Sequence, residues 1–286
     1  MNAGTGRGGL GEQTISIQKL LNPNCQKLFF SATFSDEIMR FCKATLKTSK
    51  IVRLKDTSSL VLTKIYQVRL PVSQRRGGNR ADNLKVLILK DIYELFNVGQ
   101  SIVFVETKEE ASKVAAMFTD VSYKVSVTHS SLSPSQRDDE FRKFRRNETT
   151  VLVTTNVLAK GIDVPAVDIV VHYDLPVLST GRNGPLVADA ETYIHRNGRI
   201  RAKGTSIALL QYPQDETILL AIERHYGFDQ NRRMTEEWDP NQIDTLAEKV
   251  EEKMSESDVK TNGPGDVNSG LGAGGGGVAV EVFDLH

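Results

Sequence analysis

Short runs of apolar residues alternate along this chain with longer stretches in which apolar residues return every three or four positions. "SIVFV" (residues 101–105) is apolar after its serine, the pattern of a strand buried on both faces. "TVLVTT" (150–155) and "VDIVVHY" (167–173) share that character, and "KIYQVRL" (64–70), "YKVSVTH" (123–129) and "TSIALLQY" (205–212) read as further strands. Between them, "TKEEASKVAAMF" (107–118) puts Ala111, Val114, Ala115 and Phe118 on one helical stripe, with Thr107 as its cap. "SPSQRDDEFRKFRR" (133–146) starts a helix with Ser133 as cap and Pro134 in the first position. "NLKVLILKDIYELFNVG" (83–99) and "PQDETILLAIERHYG" (213–227) supply two more. Strands alternating with amphipathic helices predict an α/β protein with a mainly parallel sheet and helices on both faces. Ligands of such sheets gather beyond the C-terminal ends of the strands. The polar segments Glu106–Lys108, His129–Ser131, Thr154–Asp163 and Asp174–Gly184 follow strands and are the places to look for chemistry.

Outside this rhythm the signals differ. "CQKLFFSATF" (25–34) reads as a strand, and "SDEIMRFCKATL" (35–46) as a helix with Ile38, Phe41, Cys42 and Leu46 on one side. This is one β–α unit, too small to be a domain. The first 14 residues hold five glycines and read as a flexible start, while residues 261–286 hold eight and read as disordered. Residues 240–256 have the composition of an acidic helix. The expected division is 1–50, a linker at 51–63, a complete domain at 64–230, and an acidic, Gly-rich, disordered tail at 231–286.

Composition narrows the class. The chain is 39% hydrophobic and 25% charged, and no apolar run approaches the roughly 18 residues that span a bilayer. Cys25 and Cys42 form no metal-ligand pattern and read as reduced thiols, which suits a cytoplasmic or nuclear setting. A net charge of zero conceals an asymmetry: residues 236–286 carry 12 acids against 3 bases, and residues 1–235 carry 33 bases against 24 acids. A basic body suits a polyanionic partner.

The polar segments carry the chemistry. Ser31 and Thr33 in "SATF" end a strand with two hydroxyls, which taken alone cap the next helix. Thr107 and Lys108 in "IVFVETK" stand beyond a buried strand, where they either contact phosphate or cap a helix. In "NVLAKGIDVPAVDIVVHYDLP", Gly161 permits a tight turn or close approach to a ligand, and Asp163 offers a carboxylate to a ribose hydroxyl or an arginine. "YIHRNGRIRAKG" gathers His195, Arg196, Arg199 and Arg201, either as a solvated basic surface or as rigid donor forks for phosphate.

Taken in order, "SATF", "IVFVETK", "HSSLSPSQRDDEFRKFR", "VLVTTNVLAKGID" and "TYIHRNGR" resemble the second half of a DEAD-box RNA helicase, from about Asn24 to Phe228. Within that family, "LVTTNVLAKGID" and the long "YDLPVLSTGRNGPLVADAETYIHR" are most similar to the mRNA-export branch at the nuclear pore. The resemblance implies a complete second RecA-like domain preceded by the end of a first. It makes Ser31 and Thr33 interdomain coupling residues, and Thr107, Lys108, Thr155 and Lys160 contacts to the RNA backbone. Gly161, Asp163, His195 and Arg196 fall on the ATP side, and Arg199 and Arg201 match arginine fingers that stabilise charge on a transferring phosphoryl group. ATP and magnesium are the family's cofactors. RNA, read through its backbone with little sequence preference, is the expected partner of a monomer, and a protein activator is a further partner the resemblance allows. The implied location is cytoplasmic or nuclear, at the nuclear pore.

The chain also departs from that pattern. It contains no Gly-Lys pair, hence no G-x-x-x-x-G-K-[ST] phosphate cradle, and no Asp-Glu-Ala-Asp box. "RDDEF" (137–141) is a decoy, because Phe141 and Phe144 mark its helix as amphipathic. "HRNGRIRAKG" is three residues shorter than the family's motif, so Arg201 follows Arg199 by two positions where three are expected. Lys160 stands in place of arginine and Pro134 in place of glutamine. The expectation is a truncated helicase chain, inactive alone, against the alternative of a non-catalytic RNA- or protein-binding module.

Overall fold

Val103, Val153, Val171 and Ile207 face one layer of helices, and Ile102, Leu152, Val170 and Ala208 face another. In the computed structural model, which describes residues 10–22, 25–31, 36–46, 49–53, 62, 64–72, 81–96, 99–156, 166–178, 186–255 and 280–284, the chain divides into two units. One comprises residues 58–276 and the other residues 1–57 with 277–286.

The larger unit is built on a seven-stranded sheet. Its strands are β3 (Tyr66–Pro71), β4 (Ser101–Phe104), β5 (Val125–Thr128), β6 (Val151–Thr154), β7 (Val167–His172), β10 (Ile200–Leu210) and β11 (Glu236–Glu237), in the order β11-β3-β10-β7-β4-β6-β5. Every pairing is parallel. A small antiparallel pair, β8 (Val177–Leu178) and β9 (Val187–Ala188), stands beside it.

Val103, Val153, Val171 and Ile207 project into a core with α3 (Ala81–Leu95), α4 (Lys108–Asp120) and α8 (Ile243–Ser255). On the other face Ile102, Phe104, Leu152 and Val170 meet Phe141 and Phe144 of α5 (Pro134–Arg145). Tyr193 of α6 (Ala190–Asn197) and Leu219 and Ile222 of α7 (Gln214–His225) close that face over Ala208 and Leu210. The unit is a three-layer α/β/α fold, as the alternating pattern predicts.

The structure extends this domain past the boundary expected at residue 230. Residues 236–255, placed by the sequence in the tail beyond the domain, form β11 and α8, the latter within the acidic helix that composition predicts over 240–256. Ile243, Leu246, Ala247 and Val250 recur at helical spacing and are buried against the sheet's core, which offsets the cost of ordering an acidic segment. Glu223 and Arg233 anchor the connection. The buried Glu223 carboxylate accepts from the Thr235 amide (3.0 Å) and hydroxyl (2.8 Å), and pairs with Arg233.

In the smaller unit α1 (Leu10–Leu20) begins inside the stretch expected to be flexible; from Glu12 onward it contains neither glycine nor proline. β1 (Leu28–Ser31), α2 (Asp36–Thr45) and β2 (Ser49–Arg53) follow, with Cys42 buried. β1 and β2 do not pair with each other. Between them lies β12 (Val280–Asp284), antiparallel to both, drawn from a short run of β-formers at the far end of the acidic tail.

Candidate functional site

Because all seven strands point the same way, the sheet has two distinct edges, and the expected site residues divide between them. Thr107 and Lys108 lie just beyond the C-terminal end of β4, and Thr155 just beyond that of the neighbouring β6. Arg199 and Arg201 flank the start of β10. The Arg199 carbonyl accepts from the amide of Val167, the first residue of β7 (2.9 Å). The length of β7 separates the two groups by about 16 Å at ~3.3 Å per residue.

At the C-terminal edge, the Thr107 hydroxyl accepts from the Glu110 amide (3.1 Å) and donates to the Glu110 carboxylate (3.2 Å), capping α4. Lys108, the first residue of α4, keeps its ammonium exposed, 3.8 Å from Glu109. Thr155 is buried, and its hydroxyl has no hydrogen-bond partner among the described residues. Burial, followed by the nearby Asp174 charge, raises the pKa of Glu110.

Arg196 does not face solvent. It is 1% exposed, lies 4.7 Å over the Phe104 ring, donates to the Asp174 carbonyl (2.7 Å), and reaches the Asn156 side-chain oxygen. Burial brings its pKa down to about 9, which leaves it charged at neutral pH. Beneath it His172 is fully buried, with Nε2 2.9 Å from the Asn197 oxygen and Nδ1 3.3 Å from an Arg196 nitrogen. A guanidinium only donates, so Nδ1 accepts and Nε2 carries the proton. Burial and then the Arg196 charge depress the His172 pKa to about 3. His195, one position earlier, is partly exposed, with Nε2 3.6 Å from Glu191.

The arginine segment runs into an irregular stretch at the start of β10. Ile200 pairs with Val167 and Thr205 with Ile169, so five steps along β10 oppose two along β7 and the surplus residues of β10 bulge out between those points. Lys203 takes φ of 78° within it. Arg201, half exposed, pairs with Asp168 at 2.9 Å. Ser31 ends β1, while Thr33, Lys160, Gly161 and Asp163 lie outside the described residues. An open groove of about 640 Å³ runs along β5 and α5, but it contains none of the expected site residues, and its Arg142 and Lys143 are paired with Asp139 and Glu140.

Sequence reasoning did not single out Lys85, and it reached Asn156 and Asp174 only as members of the polar segments that follow β6 and β7. Lys85 is buried on an otherwise apolar helix face, with its ammonium 2.9 Å from Asp174 and 2.7 Å from the Tyr173 carbonyl. The signal available was a lysine within "NLKVLILKDI" and a histidine inside a fully buried strand. Both are polar groups where the pattern asks for apolar ones.

Residues 84–203 match the family described as "Helicase conserved C-terminal domain". A solved structure of the C-terminal domain of the DEAD-box protein Dbp5 is 34% identical, over 67% of this chain and 99% of that one, with a TM-score of 0.57. The chain belongs to the DEAD-box family, in its Dbp5 branch. Saccharomyces cerevisiae Dbp5 bound to RNA and ADP BeF3 is 31% identical and superposes on this DEAD-box chain with a TM-score of 0.72, over 87% of it and 60% of the yeast chain. Another structure of the yeast protein holds Nup159, Gle1, IP6 and ADP. The ATP-dependent RNA helicase DBP5 of Gibberella zeae is 36% identical over 234 residues, 81% of this chain and 46% of the relative. The chain spans about half the length of the curated relatives it matches.

Proposed function

We propose that this chain is the RNA-holding and nucleotide-facing C-terminal half of an ATP-dependent RNA helicase acting in mRNA export at the nuclear pore. The observation that carries this reading is the shared C-terminal edge of β4 and β6. Thr107 and Lys108 stand beyond one strand and Thr155 beyond its neighbour, at a strand spacing of about 4.8 Å, so one RNA backbone can run past both. Lys108 supplies the exposed charge, Thr107 a hydroxyl and Lys160 a further charge, while Thr155, whose own hydroxyl is buried, marks where the RNA passes the end of β6. A protein activator fits the same reading, and yeast Dbp5 is itself found bound to Gle1 and Nup159.

The opposite edge is turned to nucleotide. Arg199 is the finger that meets developing phosphoryl charge, and Arg201 is held back by its pairing with Asp168. Gly161 and Asp163, outside the described residues, are assigned to the ribose by their match to the family motif, and His195 and Arg196 set the shape of the arginine segment, Arg196 by reaching Asp174 and Asn156 at the C-terminal edge. The fit to ATP and magnesium is partial. Among the described residues no group of three or more His, Cys, Asp and Glu side chains converges as a metal site, and the sequence contains no phosphate-cradle lysine motif. No step is therefore routed through magnesium here.

The test is fluorescence anisotropy of the full chain with a single-stranded RNA. Affinity falls steeply between ~50 and ~200 mM salt, because the contacts are to phosphates. Absent or salt-insensitive binding overturns the reading. Alone, the chain shows no RNA-stimulated ATP hydrolysis, and measurable turnover in a clean preparation overturns that part.

A further inference from the structure

Asp174, directly beyond β7, is bonded on every side to a different element. Its amide donates to the Phe104 carbonyl at the end of β4 (3.1 Å). Its carboxylate accepts from the Glu106 amide (2.9 Å) and from the Lys85 ammonium of α3 (2.9 Å). Its carbonyl accepts from Arg196 of α6 (2.7 Å), whose other arm ends on Asn156. Glu106 is the residue before Thr107, and Asn156 is the residue after Thr155. A continuous run of bonds thus joins the turn beyond β4 to the turn beyond β6 through one aspartate and one buried arginine.

We propose that Asp174 is a positioning residue that holds the Glu106–Lys108 and Thr155–Asn156 turns in register for a single RNA backbone. The inference rests on the RNA-binding reading above. Electrostatics alone argue against a carboxylate at this edge, since a negative charge beside the path of a polyanion repels it. Glu110 and Asp215 stand nearby, the latter 3.8 Å from Lys85, so the edge already carries acids around a single buried ammonium. What the Asp174 carboxylate contributes is geometric: one oxygen fixes the backbone of the Lys108 turn and the other is pinned by Lys85. Such bonds to charged groups are short and directional, which suits them to fixing a turn.

The geometry and the charge predict opposite results, and this makes the proposal testable. Asp174→Asn removes a negative charge, and Asp174→Glu keeps the charge but lengthens the arm. If Asp174 matters only through its charge, the first variant binds RNA more tightly and the second binds as wild type does. If it positions the turns, both variants bind more weakly, by about tenfold, with an unchanged slope of affinity against salt because no phosphate contact is lost. Anisotropy titrations of the full chain, run well below the unfolding midpoint of each variant, read this directly. A purely structural role lowers the midpoint and leaves the affinity of the folded protein at the wild-type value. Hydrogen exchange of the RNA-free chain supplies an arm independent of RNA: both turns exchange faster in the variants while β4 and β6 stay protected. Wild-type or tighter binding by both variants overturns the proposal, as does unchanged exchange at the second turn. A wild-type chain that binds no RNA overturns the functional reading, and exchange then judges the coupling of the two turns by itself.

Discussion

A methyl group on Gly204 would lie 2.3 Å from the carbonyl oxygen of Asp168. It would also lie 2.4 Å from a methyl of Ile200. Beside the bulge between Ile200 and Thr205, β10 therefore runs so close to β7 that only glycine fits. We expect Gly204→Ala to destabilise the chain by about 1–3 kcal/mol, since neither neighbour can retreat without moving backbone. Urea unfolding measures this, and a change below about 0.5 kcal/mol would show that the close approach relaxes freely.

His172 sets a pH dependence. Its pKa in the folded chain is about 3, against an ordinary value near 6.5, so the unfolded chain binds the extra proton between those limits. Stability from this group is complete above pH 6.5 and is lost as the pH falls toward 3, at up to about 1.4 kcal/mol per pH unit. His172→Gln, which keeps a donor and an acceptor but does not titrate, should flatten that slope by about one proton. Equal slopes for the two proteins would assign the acid sensitivity to other groups.

Ser133 and Gln136 form a reciprocal cap on α5. The Ser133 hydroxyl accepts from the Gln136 amide (3.2 Å), and the Ser133 amide donates to the Gln136 side chain (2.9 Å). Ser133→Ala should cost about 1 kcal/mol. Thermal unfolding indistinguishable from wild type would mean that Pro134 alone fixes the start of the helix.

Lys108 offers the simplest functional check. Its ammonium is exposed and only loosely paired with Glu109. Lys108→Ala should weaken RNA binding for every sequence alike and reduce the magnitude of the log–log salt slope by about 1. An unchanged slope would remove Lys108 from the phosphate contacts.

Much of this architecture was legible from local pattern. The apolar runs "SIVFV" and "TVLVTT" became the central strands β4 and β6, and Thr107 and Ser133 cap the helices that their position announces. What local pattern could not tell was direction. His195, Arg196 and Arg199 look alike as a basic run, yet Arg196 turns into the core because Phe104, Asp174 and Asn156 arrive there from three other segments. The division of site residues between two sheet edges follows from strand order, which no single segment encodes. α8 was legible as an acidic helix, but its membership of the domain was not, because its narrow apolar stripe has no partner until a sheet core exists to receive it.

The strand β12 changes what a broken chain would look like. Residues 1–57 and 277–286 fold as one unit around it, so the polypeptide leaves that unit and later returns to it. The returning segment is held in the smaller unit by a ladder of hydrogen bonds to β1 and β2. A single cut between residues 57 and 277 therefore releases no piece: the nicked chain runs as two bands under denaturing conditions and as one particle otherwise.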